Sequence, residues 1–171
     1  MLRNFIAWTV VVTVLYVLQT SFLPLFSYHG VSPDLLLLFA VSFGFVRGKR
    51  LGVFAGFLSG LLMDVASGTF FGMNILTKMI AGYVSGALSD RVFKEQTLLP
   101  VLSSVVATIV NYFILAVLML LLGYRYHVLF NAQAVLFSLV VFQLVFAYPV
   151  HKLVCEVNLR LSREEQKAGI L

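Results

Sequence analysis

Between residues 5 and 150 the chain is a succession of apolar runs with short polar breaks, which restricts it to a bundle of membrane-spanning helices. The longer runs cover residues 5–26, 51–63, 98–122 and 130–150, and shorter ones cover 35–46 and 75–88. A span needs about 20 apolar residues, or fewer where the segment is enclosed by protein. The expected fold is therefore an all-α membrane protein with six transmembrane helices. Composition agrees: 61% of the 171 residues are hydrophobic and 11% are charged, far from the balance of a soluble domain.

No small-residue cleavage site follows the first run, so it reads as a retained helix and not as a signal peptide. One membrane domain is expected over residues 1–156, with 157–171 as a short polar tail. The basic residues decide orientation. Arg3, Arg47, Lys49, Arg50, Arg91, Lys94, Lys152, Arg160, Arg163 and Lys167 all fall at alternate ends of the spans, whereas the opposite connections carry only Arg125. By the positive-inside rule both termini and the 47–50 turn are cytoplasmic. The net charge of +5 is spread around that rim, where it meets anionic headgroups of the lipid bilayer, and this disfavours a nucleic-acid partner.

Residues 44–90 carry the strongest packing signal. Gly44, Gly48, Gly52, Gly56 and Gly60 are spaced four apart and lead to Asp64; a break at Ser67, Gly68, Thr69 and Gly72 follows, then Asn74, Lys78, Gly82 and Gly86. In a helix an i, i+4 row forms one stripe, so Gly52, Gly56, Gly60 and Asp64 share a face, as do Lys78, Gly82 and Gly86. If the break reverses the chain, the two smooth faces pack closely and Asp64 meets Lys78. An unpaired charge near the bilayer centre costs about 2.5–3.5 kcal/mol, so the two form either a structural clasp or a binding pocket, the clasp being the first expectation. Ser67, Gly68, Gly72 and Asn74 would supply the unusual backbone angles and hydrogen bonds of the break.

Ser32, Pro33 and Asp34 look like a helix start, with Ser32 as N-cap and Pro33 as the first helical residue. Thr9, Thr13, Tyr16 and Thr20 make a polar stripe on helix 1 that faces another helix, of this chain or of a partner, with packing inside the chain expected first. Ser104, Thr108 and Asn111 on helix 5 and Gln143 on helix 6 are read the same way. Catalysis is not expected, because His29, His127 and His151 are scattered and no nucleophile has an assigned base. The lone Cys155 offers neither a disulfide nor metal-ligand spacing, and no metal or cofactor is expected.

The stretch from Gly56 and Gly60 through Asp64, Ser67, Gly68 and Gly72 to Gly82 and Tyr83, together with the length, the six-helix layout and the Pro33-Asp34 opening, closely resembles the rod shape-determining MreD family. The resemblance implies a non-catalytic scaffold of the bacterial cell-elongation and peptidoglycan-synthesis machinery, multi-pass in the inner membrane. It implies MreC as partner, and MreB and RodA with penicillin-binding protein 2 as further candidates. The family is also similar in architecture to the S components of energy-coupling-factor transporters. That similarity supplies the alternative: a small-molecule-binding transport subunit with a polar pocket under the external connections. Sixteen phenylalanines favour a filled interior.

Overall fold

The computed structural model describes residues 2–26, 32–68, 71–89, 98–121 and 128–167. Six α-helices and no strand occur among them: α1 (Leu2–Val17), α2 (Leu35–Arg47), α3 (Lys49–Ser67), α4 (Met73–Ser89), α5 (Leu98–Leu121) and α6 (Val128–Lys167). Three helical stretches, Asn4–Leu25, Lys49–Ser67 and Leu136–Glu164, are each long and apolar enough to cross a membrane. Thr69, His29, Arg91, Lys94, Arg125 and His127 lie outside the described residues.

The short second helix is the centre of the bundle. Its 13 residues rise only about 20 Å, less than the roughly 30 Å of a hydrocarbon core. Every residue from Leu35 to Gly44 is buried, and α2 touches each of the other five helices. A helix that is apolar all round is stable when enclosed, and its length then need not match the bilayer. Leu36, Leu38, Phe39 and Phe43 form the core with Val12 and Leu15 of α1 and Ala147, Val150 and Val154 of α6.

Helix α2 begins two residues later than the sequence suggests. Asp34, not Ser32, is its N-cap, and its side chain accepts from Leu37 N at 2.9 Å. At the other end Gly48 alone separates α2 from α3, at φ +85°, a backbone region that L side chains rarely adopt. The row of five glycines is thus folded over this turn, and Gly44 of α2 comes to rest beside Gly52 of α3.

Helix α1 passes into a π-turn, Leu18–Phe22, and a 3-10 turn, Leu23–Phe26, in place of a uniform span. Helix α6 runs unbroken through Pro149 and past residue 157 to Lys167.

Candidate functional site

The α3–α4 hairpin sets the geometry. Side by side in antiparallel order, Gly52 faces Gly82, Gly56 faces Lys78, and Gly60 faces Asn74 and Ile75. A Cβ on any of these three α3 glycines would overlap main-chain atoms of α4, so the two backbones approach as closely as backbones can. Gly86 lies against Gly48 and Lys49, and Gly44 of α2 lies against Gly82 and Gly86, which draws three helices together. Ser89 Oγ donates to Phe45 O at 2.7 Å and ties the far end of α4 to α2.

This register separates the pair that spacing brought together. Lys78 stands opposite Gly56, eight residues or about 12 Å along α3 from Asp64, so the expected Asp64–Lys78 contact does not form. Asp64 instead caps α4 from across the turn. Its carboxylate accepts from Gly72 N at 2.8 Å, Asn74 N at 3.0 Å, Ile75 N at 3.2 Å and Asn74 Nδ2 at 3.0 Å. Those backbone groups are the donors that a helix N-terminus leaves without partners, and the positive end of the helix dipole favours the carboxylate there. Gly68 ends α3 in the left-handed conformation, φ 59° and ψ 12°, and donates to Asp64 O at 3.2 Å. Gly72 also has positive φ, whereas Ser67 is exposed and reaches back to Asp64 O.

Lys78 is completely buried, and its ammonium pairs with Asp34 Oδ2 at 2.7 Å. It also donates to Asn74 Oδ1 at 3.0 Å, so Asn74 joins the Asp64 cap to the Lys78–Asp34 pair. Asp34 Oδ1 accepts from Gln19 Nε2 at 3.4 Å, and Gln19 Oε1 accepts from Leu36 N at 3.0 Å. From α6, Gln143 Nε2 donates to Asp34 O at 3.4 Å. One polar network thus links α1, α2, α3, α4 and α6 inside an otherwise apolar bundle. The Lys78 and Asp34 charges compensate each other and are hydrogen-bonded, the condition under which a buried ion pair is tolerated, and the Asp64 carboxylate is held by N–H donors.

Asp34 and Gln19 are the members that spacing did not single out. Asp34 was legible as a helix opener but not as a counter-ion, because its partner lies 44 positions away. Gln19 follows Val12 and Leu15 on α1's inward face, and the π-turn carries it to the start of α2. A glutamine amid leucines on that face was the available signal.

Of the helix 1 stripe only Tyr16 packs inside the chain. Thr9, Thr13 and Thr20 are exposed, and their hydroxyls bond back to Phe5 O, Thr9 O and Tyr16 O at 2.8–2.9 Å; Tyr16 is half-buried at the edge of the core. On α5, Ser104 and Thr108 are buried and likewise bond to their own helix. Next to the network, Leu18, Phe22, Leu23, Pro33, Leu35, Phe142 and Phe146 line an apolar cavity of about 430 Å³.

The family profile described as rod shape-determining protein MreD matches residues 1–157. The chain belongs to the MreD family. Membership gives this MreD-family chain a role in rod shape determination, and its long apolar helices make it an integral membrane protein. No curated protein and no solved structure matches the chain.

Proposed function

We propose that the chain is a non-catalytic scaffold of the cell-elongation machinery in the bacterial inner membrane, with both termini cytoplasmic, and that it binds MreC. Through MreC it joins MreB filaments to RodA and penicillin-binding protein 2. The observation that carries the scaffold reading is the way the interior charges are used. Asp64 is occupied by the start of α4 and Lys78 by Asp34 and Asn74, so these groups hold helices together and present nothing to a substrate. Asp64, Ser67, Gly68, Gly72, Asn74 and Lys78 are then structural, and the Gly52, Gly56, Gly60, Gly82 and Gly86 rows set the hairpin.

The outward Thr9, Thr13 and Thr20 face of α1, with Tyr16 at its edge, is the surface for the partner's helix. Hydroxyls already bonded to their own backbone leave a shallow, nearly smooth face that a second helix can approach in lipid. The membrane domain extends over residues 1–156, and the end of α6 beyond it is the cytoplasmic tail.

A carrier would need polar groups turned toward a ligand-sized space. The cavity beside the network has ligand-like volume, but its described lining is wholly apolar. A photo-crosslinking residue at position 13, expressed at native level, tests the scaffold reading. It should trap MreC, while the same residue at position 113 on the exposed face of α5 should not. Trapping from 113 and not from 13 would move the partner surface away from α1. Trapping from neither, with a small molecule retained in native mass spectrometry of the purified chain, would favour the carrier.

A further inference from the structure

The opposite end of the bundle holds a second group of polar atoms that the scaffold reading does not use. Trp8 of α1 sits edge-on to Phe43, with ring centres 4.6 Å apart and planes at 84°, and Phe39 lies 6.2 Å away. These contacts hold the indole inside a cleft of about 150 Å³ between α1, α2 and α3, shared with Arg47, the last residue of α2. Both Trp8 Nε1 and Arg47 Nε are buried and have no hydrogen-bond partner. Among the described residues no ion pair involves Arg47 either.

An indole N–H and the Nε–H of a guanidinium can only donate, and leaving such N–H groups buried without acceptors is costly. Beyond Asn4 and Thr9, the other polar members of its lining, what completes this cleft brings acceptor oxygens, and the Arg47 cation favours an acceptor that is negatively charged. It must also cover apolar surface, because the rest of the lining is mostly apolar and includes Phe5, Val12, Phe54 and Leu58. A phosphodiester attached to acyl chains has all three properties. Planar guanidinium groups suit phosphate oxygens, and basic pockets between membrane helices take anionic headgroups.

We propose that Arg47 and Trp8 form a binding site for the phosphate of an anionic phospholipid, whose acyl chain lies in the cleft between α1 and α3. Such a lipid fastens α1, which otherwise contacts few residues of the bundle, to the α2–α3 turn.

Trp8 is the chain's single tryptophan, so its fluorescence reports the site. The full chain is reconstituted in phosphatidylcholine bilayers containing either dibrominated phosphatidylglycerol or dibrominated phosphatidylcholine at equal mole fraction, and contact quenching of Trp8 is measured. Phosphatidylglycerol should be preferred about fivefold, the factor that one basic side chain near an anionic surface supplies. The preference should vanish in Arg47→Gln, persist in Arg163→Gln, and withstand millimolar inorganic phosphate. Equal quenching by the two lipids, or a preference that survives Arg47→Gln, overturns the proposal. Loss of the preference in phosphate overturns the lipid assignment and leaves a site for soluble anions. Should Arg47→Gln fail to accumulate, native mass spectrometry of Trp8→Phe decides: phosphatidylglycerol retention should fall, and unchanged retention overturns the site.

Discussion

The Asp34–Lys78 pair makes an unequal double-mutant cycle. Removing one partner of a buried pair costs about 3–5 kcal/mol, whereas removing both is often nearly neutral. Lys78 is 0% exposed and Asp34 is 18% exposed, so the two single changes should differ. Lys78→Met leaves a carboxylate that reaches some solvent and still accepts from Leu37 N and Gln19 Nε2, which puts its cost near the lower end, about 3 kcal/mol. Asp34→Asn keeps an N-cap for α2, since asparagine caps as well as aspartate, but strands a fully buried ammonium with only Asn74 Oδ1. Its cost lies near the upper end, about 5 kcal/mol. The double variant should lose only about 1 kcal/mol, a coupling of roughly 7 kcal/mol against the additive sum of about 8. Reversible unfolding of the purified chain in mixed micelles, followed by Trp8 fluorescence, measures each corner. Asp64→Asn with Lys78→Met should couple far less, because those residues communicate only through Asn74. Additivity of Asp34→Asn and Lys78→Met within about 0.5 kcal/mol refutes the reasoning, as does stronger coupling of position 78 to 64 than to 34.

Gly60→Leu should cost about 3 kcal/mol or more and reduce folded protein in the membrane, because its side chain would enter the backbone of Asn74 and Ile75; Leu61→Ala, on a half-buried face, should cost less. Equal accumulation of the two variants on quantitative blots contradicts this. At Gly68 nothing lies within reach of an added Cβ, so Gly68→Ala should cost only the left-handed penalty of about 1–2 kcal/mol, and Gly68→Asn less, in the same unfolding assay. In a Cys155→Ser background, cysteines at Arg50 and Phe71, both exposed at opposite ends of the α3–α4 hairpin, should label from opposite faces of intact cells; labelling of both by one impermeant reagent contradicts the topology.

Features that depend on local order could be read from the residues. The apolar runs yield six helices, and the four-residue spacing of glycines indicates a smooth helix face. Gly68 and Gly72 mark the break because the turn needs backbone angles that other residues resist. The partner of Lys78 could not be read this way. An antiparallel hairpin is set by its turn, and a turn extending from Gly68 to Gly72 places residue 78 opposite 56, not 64; spacing along one helix says nothing about that offset. Asp34 becomes the counter-ion only because α2 is enclosed at the centre of the bundle, a consequence of tertiary packing. The helix 1 threonines look like a packing face in sequence. In the fold, Val12, Leu15 and Gln19 take the inward positions, and a threonine bonded to its own helix can face outward at little cost.

The central claim is that the interior charges act as a clasp within a rod-shape scaffold, and cell shape measured with Asp34→Asn and Lys78→Met tests it most directly. Cells whose native copy is replaced by each variant are imaged for aspect ratio, with membrane abundance measured in parallel. The account predicts that either single change rounds the cells as the folded protein declines, and that the double variant restores both abundance and rods. Double-variant protein at normal abundance in round cells would contradict it, because the pair would then have a task other than holding the helices together.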